Sequence, residues 1–389
     1  MTQPFEHQLR AVDRAVLMPL VQRVLHRDIE DLLTWDHDPL AGGFSQEHGE
    51  SYGIYRFHGH AQTADGPRPW SLILKATGKS LTGSPDPASF TYWQREALVY
   101  RSGLLDALPG TLTAPRCLGI TTHADEDVWL WLEDVVDLED EAWPVARFEQ
   151  VARQLGHLSG TYAAPRTLPT VPWLSTGDLD TRLALAQPGI PQLADLSRHP
   201  FFAQFLPDEV APHILALWQA RERLLAVRRR VPVTLCHHDA FRRNILTRRD
   251  AGGRDETVLI DWTRTGTGVL GEELVPLFVA GLRFIPVELT QIAALDAAIF
   301  ANYVDGLRAT GWHGDPALVR FGFTATAALK GGVADPAIKL PSVARRVADL
   351  PANAEPPRIL GPGLEQHIAL HRHLLRMGDE ALALTSRLA

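Results

Sequence analysis

A chain of 389 residues, 45% of them hydrophobic, has ample material for a buried core and exceeds one comfortable compact unit, so two or three lobes are expected. A net charge of −8 with 22% charged residues disfavours a general nucleic-acid binder, and the acidic balance favours a cationic or neutral substrate over an anionic one. Two cysteines, Cys117 and Cys236, with no metal-binding pair near either, exclude a disulfide framework.

The N-terminal stretch carries charges throughout its apolar positions and has no signal-peptide core. No apolar run reaches bilayer-spanning length, so a cytoplasmic protein without a membrane partner is expected. Residues 5–34 place Leu9, Val12, Val16, Leu20, Val21 and Val24 at helical spacing, which predicts one or two amphipathic helices. The pattern breaks into turn chemistry over DHDPLAGG, residues 36–43. SYGIYRFHG and WSLILKATG then read as two strands of a hairpin around an Asp-Gly-Pro-Arg-Pro turn. FTYWQREALVYRSGLLDAL predicts a helix capped by Ser89 and ended before Pro109, and strands follow near RCLGITTH and DVWLWLEDV. Strand, strand, helix, strand, strand implies an α+β lobe dominated by an antiparallel sheet.

From Asp137 onward the pattern is mostly helical, with strong amphipathic helices in RFEQVARQLGHLSGTYA and DEVAPHILALWQARERLLAVRRR. APRTLPTVPWLSTG between them is expected to wrap the surface. VTLCHHD and TVLIDWT read as a second hairpin across TRRDAGGRDE, and helices joined by Pro/Gly loops follow Leu270. There is no internal repeat and no low-complexity tract.

The sharpest feature is CHHDAFRRNIL followed by VLIDW. His237, Asp239 and Asn244 fall in the pattern H-x-D-x-x-x-x-N, and a hydrophobic strand then ends in Asp261. Phosphoryl transfer needs a carboxylate to orient the attacking hydroxyl and oxygen ligands to hold Mg²⁺ on the nucleotide phosphates. An Asp-then-Asn loop beside a strand ending in Asp supplies all three, and one carboxylate plus one amide oxygen suits Mg²⁺.

The segment resembles the aminoglycoside phosphotransferase and choline kinase superfamily, whose loop reads H-G-D-x-x-x-x-N and whose later Asp sits in an I-D-W-like context, here Ile260-Asp261-Trp262. The resemblance spans roughly residues 40 to 280. It implies a protein-kinase-like, two-lobed α+β fold. Residues 1–135 would form a nucleotide-binding lobe with an extra N-terminal helix, and residues 136–389 a helical catalytic and substrate-binding lobe. It implies that Asp239 orients or deprotonates the acceptor hydroxyl, that Asn244 and Asp261 bind Mg²⁺, and that His237 is a structural member of the loop. Lys75, inside an apolar strand where it is costly unless paired, is the candidate to bridge Glu96 and meet the phosphates. The hinge at Glu133-Asp134-Val135 would meet the adenine through its backbone, with Glu133 and Val135 as the contact residues. Gly42, Gly43 and Gly49 would loosen a loop over the phosphates. Arg242 and Arg243 lie inside the loop, and Arg243 joins Asp239 and His237 in the candidate catalytic set. The cofactors implied are ATP or GTP with Mg²⁺, and the partner is a small-molecule hydroxyl acceptor: an aminoglycoside, sugar, amino sugar or amino alcohol.

The chain departs from the family pattern in two places. His238 replaces the usual Gly or Arg of the loop, and GTGVLGEELVPLF stands where relatives carry a GDPAYDLA-like stretch, with Glu272 or Glu273 as the equivalent acid. Two other readings compete with this one. A silent nucleotide-binding module would keep the fold without turnover. A metal hydrolase built on His237, His238 and Asp239 is disfavoured because adjacent side chains on a strand point to opposite faces. Arg228 to Arg230 read as cations complementing a helix C-terminus, and Glu365, His367, His371 and His373 as one polar helix face.

Overall fold

The computed structural model describes residues 3–40, 53–78, 83–123, 126–139, 142–163, 168–285, 287–348 and 363–388. Two compact units are present. One comprises Met1–Leu138, Val171–Ser175 and Leu246–Thr265, and the other Glu139–Thr170, Thr176–Ile245 and Gly266–Ala389.

The first unit opens with α1 (Gln3–Arg10) and α2 (Arg14–Leu25), the latter started by Asp13, whose carboxylate accepts from Val16 N at 3.1 Å. Five strands follow: β1 (Asp31–Pro39), β2 (Gly53–Thr63), β3 (Gly66–Thr77), β5 (Cys117–Thr122) and β6 (Val128–Glu133), the short β4 (Leu112–Thr113) intervening. They form an antiparallel sheet in the order β1-β2-β3-β6-β5. Because side chains alternate across a strand, Trp70, Leu72, Leu74 and Ala76 face one side with Trp129 and Trp131, where Phe5, Leu9, Leu17, Leu20 and Val21 cover them. Lys75 consequently points to the opposite face. Pro67 and Pro69 lie within β3, beyond the reach of β6, whose pairing ends at Leu72, so that ladder loses no donor.

Four local expectations are corrected. Residues 31–39 form an edge strand, not the end of a helix and a turn. Only Leu32 is buried there, so the pairing is carried by backbone bonds that leave no periodic signature. The helix expected over residues 90–108 is confined to α3 (Arg95–Arg101), because residues 86–92 are spent on turns and Gly103 at φ 74° ends it. The turn TRRDAGGRDE joins β8 (Ile245–Arg249) to β9 (Asp255–Leu259), with β4 on the other side of β9, whereas β7 (Val233–Cys236) pairs with β10 (Gly266–Val269). Trp173, Leu174 and Ser175 do not wrap the surface: they are buried, and the Ser175 N–H donates to Thr265 O.

The second unit is helical: α4 (Val145–Tyr162), α5 (Leu179–Ala186), α6 (Val210–Arg228), α7 (Ile292–Ala309), α8 (Pro316–Ala327), α9 (Asp335–Ala348) and α10 (Leu364–Leu388), with π-helical turns at Pro276–Ala280 and Ala328–Ala334. His371 and His373 of α10 are not on a solvated face. Both are buried, His371 bonded to Gly332 O at 2.8 Å and His373 to Asp296 at 2.8 Å. Asp296 also pairs with Arg320, which reaches on to Glu380. Among the described residues no helix is long and apolar enough to cross a membrane.

Helices α4 and α7 touch backbone to backbone. A Cβ on Gly156 would stand 2.1 Å from Tyr303 O, and one on Gly306 2.0 Å from Arg153 O. Overpacking of this kind forces the helices apart, so Gly156→Ala and Gly306→Ala are each expected to destabilise the protein by about 2–3 kcal/mol. A urea midpoint unchanged in both would contradict the close crossing.

Candidate active site

In the first unit β3 carries Lys75 inward, α3 carries Glu96 and the end of β9 leads to Asp261. Lys75 Nζ lies 2.6 Å from Glu96 Oε2 and 2.7 Å from Asp261 Oδ1. Of the pairings open to Glu96 in the sequence, neither Arg95 nor Arg101 is used. Nor is Lys75 on an edge, since β3 lies between β2 and β6. Burial alone would lower the Lys75 pKa, but the carboxylates of Asp261 and Glu96 outweigh it and hold the ammonium charged. Burial likewise opposes ionisation of Asp261, yet Lys75 and the Thr263 hydroxyl (2.7 Å) keep it well below the ordinary carboxylate range. Glu96 is pushed up, burial outweighing Lys75, and its second oxygen accepts from Trp262 N at 3.0 Å. Asp261 sits at φ 63°, a backbone conformation that costs a non-glycine residue energy and that these bonds sustain. All the bonds to Asp261 go to Oδ1. Among the described residues, Oδ2 therefore remains a free hard-oxygen donor.

Sequence reasoning missed Arg95, which organises the surroundings. Its buried guanidinium donates to the carbonyls of Trp173 (2.8 Å), Phe90 (3.0 Å), Thr263 (3.0 Å), Pro87 (2.9 Å) and Ser89. Burial, with Arg264 nearby, pushes its pKa down to about 10, which leaves it charged at neutral pH. In the segment expected to be the hinge, Glu133 turns its side chain to Arg116 and Arg248 (3.0 Å for the latter), and Asp134 accepts from Arg56 at 2.8 Å. Val135 follows as half-buried extended chain. Gly43, with Gly42 and Gly49, lies outside the described residues.

In the second unit β7 delivers the loop. His237 is fully buried and its Nδ1 accepts from Asp239 N at 3.2 Å, so its proton sits on Nε2. Asn244 ends a 3₁₀ turn, Arg242–Asn244, and its amide Nδ2 donates to both Asp239 O and Asp239 Oδ2 at 2.9 Å. That clasp fixes the Asp239 carboxylate and turns the amide oxygen of Asn244 to other uses. His238 adopts φ 66°, the conformation in which glycine is at ease, and Nε2 donates to Thr267 O at 3.2 Å. Arg242 is committed to Glu139 O and Ile245 O and lies over Trp143, while Arg243 is exposed.

Glu273 supports this loop from below. Its Oε2 accepts from His238 N at 3.2 Å, and the His237 N–H reaches the same carboxyl. Burial pushes its pKa up to about 8. Cys236, His238 and Glu273 place their ligand-capable atoms within 4.8 Å of one another, but burial also holds the Cys236 thiol well above its ordinary pKa and the thiol bonds to Glu273. A thiolate is what a metal needs, so the trio reads as a hydrogen-bonded cluster. Glu272, also buried, takes Arg228 Nη2 at 2.5 Å and has Lys330 at 3.7 Å. Arg228 thus reaches inward to a carboxylate and does not simply complement a helix end. Lys330 was missed, although a lone cation in the apolar run AALKGGVA is the same signal that exposed Lys75.

Two predictions follow from these burials. Lys75→Met leaves two acids without their cation and should cost about 3–5 kcal/mol, most of it recovered in Lys75→Met/Glu96→Leu. Urea titrations of both variants check this, and equal losses in single and double variant would contradict it. Glu273 has its folded pKa raised, so between pH about 4.5 and 8 the folded state binds more protons than the unfolded and stability falls as pH rises. Glu273→Gln should match wild type near pH 5 and exceed it by a widening margin up to pH 8; parallel stability curves would refute the shift.

The profile of the phosphotransferase enzyme family matches residues 104–314, more than half of the chain. Among solved structures, a spectinomycin phosphotransferase in complex with ADP and spectinomycin aligns over 96% of this chain and 99% of its own at 11% identity, with a TM-score of 0.50. A choline kinase from Cryptosporidium parvum aligns over 90% of each chain at 11% identity, with a TM-score of 0.51. At such identity the likeness is one of fold, and it gives the sheet-rich and helical parts of this α+β chain kinase-like counterparts. No curated protein sequence matches significantly. With its residues 104–314 enclosing the Asp239 loop and Asp261, the chain belongs to the phosphotransferase enzyme family and is a small-molecule kinase of that family.

Proposed function

We propose that this kinase transfers the γ-phosphoryl group of ATP, or of GTP, to a hydroxyl of a small acceptor. The observation that carries the reading is the clasp of Asp239 by Asn244, at 2.9 Å to both main chain and carboxylate, inside the family-matched region. It holds the carboxylate in a fixed orientation, as a group that must meet a hydroxyl requires.

The division of labour follows from the donor inventory. Asp239 orients the acceptor hydroxyl and takes its proton as the new O–P bond forms and the bond from the γ-phosphorus to the bridging oxygen breaks, the nucleoside diphosphate departing. His237 holds the main chain of Asp239 through Nδ1 and touches no reacting atom. Lys75 spends two of its three N–H donors on Glu96 and Asp261, leaving the third for a nucleotide phosphate. Mg²⁺, when bound, neutralises charge on the transferring phosphates. Asp261 Oδ2 and the Asn244 amide oxygen suit it as hard oxygen ligands, one charged and one neutral. Val135 offers main-chain groups to the base, and Arg243 an exposed guanidinium to phosphate or acceptor. In this scheme residues 1–135 serve the nucleotide, and residues 136–389 supply the catalytic and metal-binding groups and receive the acceptor. Catalysis is positioning and charge neutralisation, with no covalent enzyme intermediate.

Magnesium-dependent ADP release, measured over a library of hydroxyl acceptors, tests the assignment. Asp239→Ala is expected to slow turnover by about 10²- to 10⁴-fold, and Asp261→Ala to abolish it. Either folded variant turning over at the wild-type rate would remove that residue from the mechanism.

A further inference from the structure

The second unit contains a charge cluster with more cations than its acids can neutralise. Asp335, at the start of α9, is met by Arg283 Nη2 at 2.6 Å, Arg182 Nη1 at 3.0 Å and Lys339 Nζ at 3.2 Å. Asp178 is shared by Arg182 and Lys330, and Lys330 and Arg228 share Glu272. Among the described residues five cations, Arg182, Arg228, Arg283, Lys330 and Lys339, therefore stand against these three carboxylates, and against four when Asp239, within reach of Arg182, is counted, so a surplus of positive charge remains. The neighbouring histidines add nothing to either side: burial lowers the pKa of His238 and pushes that of His367 down to about 3.

The charges are also sorted by depth. The side chains of Glu272, Asp178 and Asp335 are 1%, 6% and 8% exposed. Those of Arg283, Arg182 and Lys339 are 27%, 39% and 58% exposed. The acids lie beneath and fix the cations, whose open ends face outward. A cluster that served only to hold helices together would close its pairs, because uncompensated like charges repel. Arg182 additionally lies within electrostatic reach of Asp239, which puts the surplus at the acceptor end of the proposed reaction.

We propose that the acceptor of this kinase carries an oxyanion, a carboxylate or a phosphate, that docks on Arg182, Arg283 and Lys339 while a hydroxyl of the same molecule meets Asp239. This rests on the kinase reading above. It reverses the expectation drawn from the chain's net charge of −8, because the local field at the cluster is opposite in sign to the total. Guanidinium groups bind carboxylate and phosphate oxygens in bidentate fashion, and a polycationic acceptor would be repelled at this place.

The full-length protein is titrated calorimetrically with inorganic phosphate and with malate at low salt, then assayed for ADP release with hydroxy acids, sugar phosphates, neutral sugars and aminoglycosides. The expected result is binding of both anions, weakened at least tenfold in Arg283→Gln and in Lys339→Gln. Lys339 is exposed enough that its variant folds even if the Arg283 variant does not. Turnover is expected with hydroxy acids or sugar phosphates, the responding class telling carboxylate from phosphate, and Lys339→Gln should raise KM tenfold with kcat little changed. Anion binding that is absent, or equal in wild type and both variants, would overturn the proposal, as would turnover confined to aminoglycosides or neutral sugars. Lys339-dependent anion binding with no phosphorylated product in any class would leave the anion site standing and remove the kinase reading instead.

Discussion

An ammonium group cannot stay charged inside a sheet unless carboxylates meet it, and the first unit is arranged around that requirement at Lys75. Glu96 and Asp261 arrive from a helix and from the end of a strand 165 residues apart in sequence. Each is tied down again, Glu96 by Trp262 N and Asp261 by Thr263. The left-handed backbone at Asp261 is held by this network, and the five-carbonyl grip of Arg95 binds the loops on either side of it. Replacing so many hydrations with fixed partners leaves little freedom at Asp261, which suits the metal-binding role proposed for it.

The second unit solves a related problem with different chemistry. Its loop is held by a neutral imidazole at His237, an amide at Asn244 and a carboxyl at Glu273 that burial keeps largely protonated. Only Asp239 is left half-exposed among them. The charged residues Asp178, Glu272, Asp335 and their cations adjoin this loop, Glu272 acting on His238, and carry a surplus of positive charge outward. On the proposed reading the two sets divide the work: one sets the carboxylate of Asp239, and the other sets what can lie beside it.

Much of this was visible in the sequence where burial imposes a period or a penalty. The strands Gly53–Thr63 and Gly66–Thr77, the helices Val145–Tyr162 and Val210–Arg228, and the lone Lys75 in an apolar strand all leave such marks. β1 does not, because one buried residue in nine has no period. Nor could the pairing of β7 with β10 be told from a hairpin, since both alternatives satisfy the same apolar strands. Arg95 and Arg228 look like ordinary helix-surface cations in sequence; only the fold reveals the carbonyls and the carboxylate that they reach. The motif H-x-D-x-x-x-x-N showed the Asp239 loop, while the charge cluster draws on residues from 178 to 339 that no local spacing connects.

The central claim is that this chain moves phosphate from a nucleotide to a hydroxyl. Phosphorus-31 NMR of the protein with ATP, Mg²⁺ and a pool of hydroxylated metabolites tests it most directly. A new phosphomonoester resonance growing in step with ADP, and absent with Asp239→Asn, is the predicted result. ADP accompanied only by inorganic phosphate, or a phosphomonoester formed as readily by the variant, would contradict it.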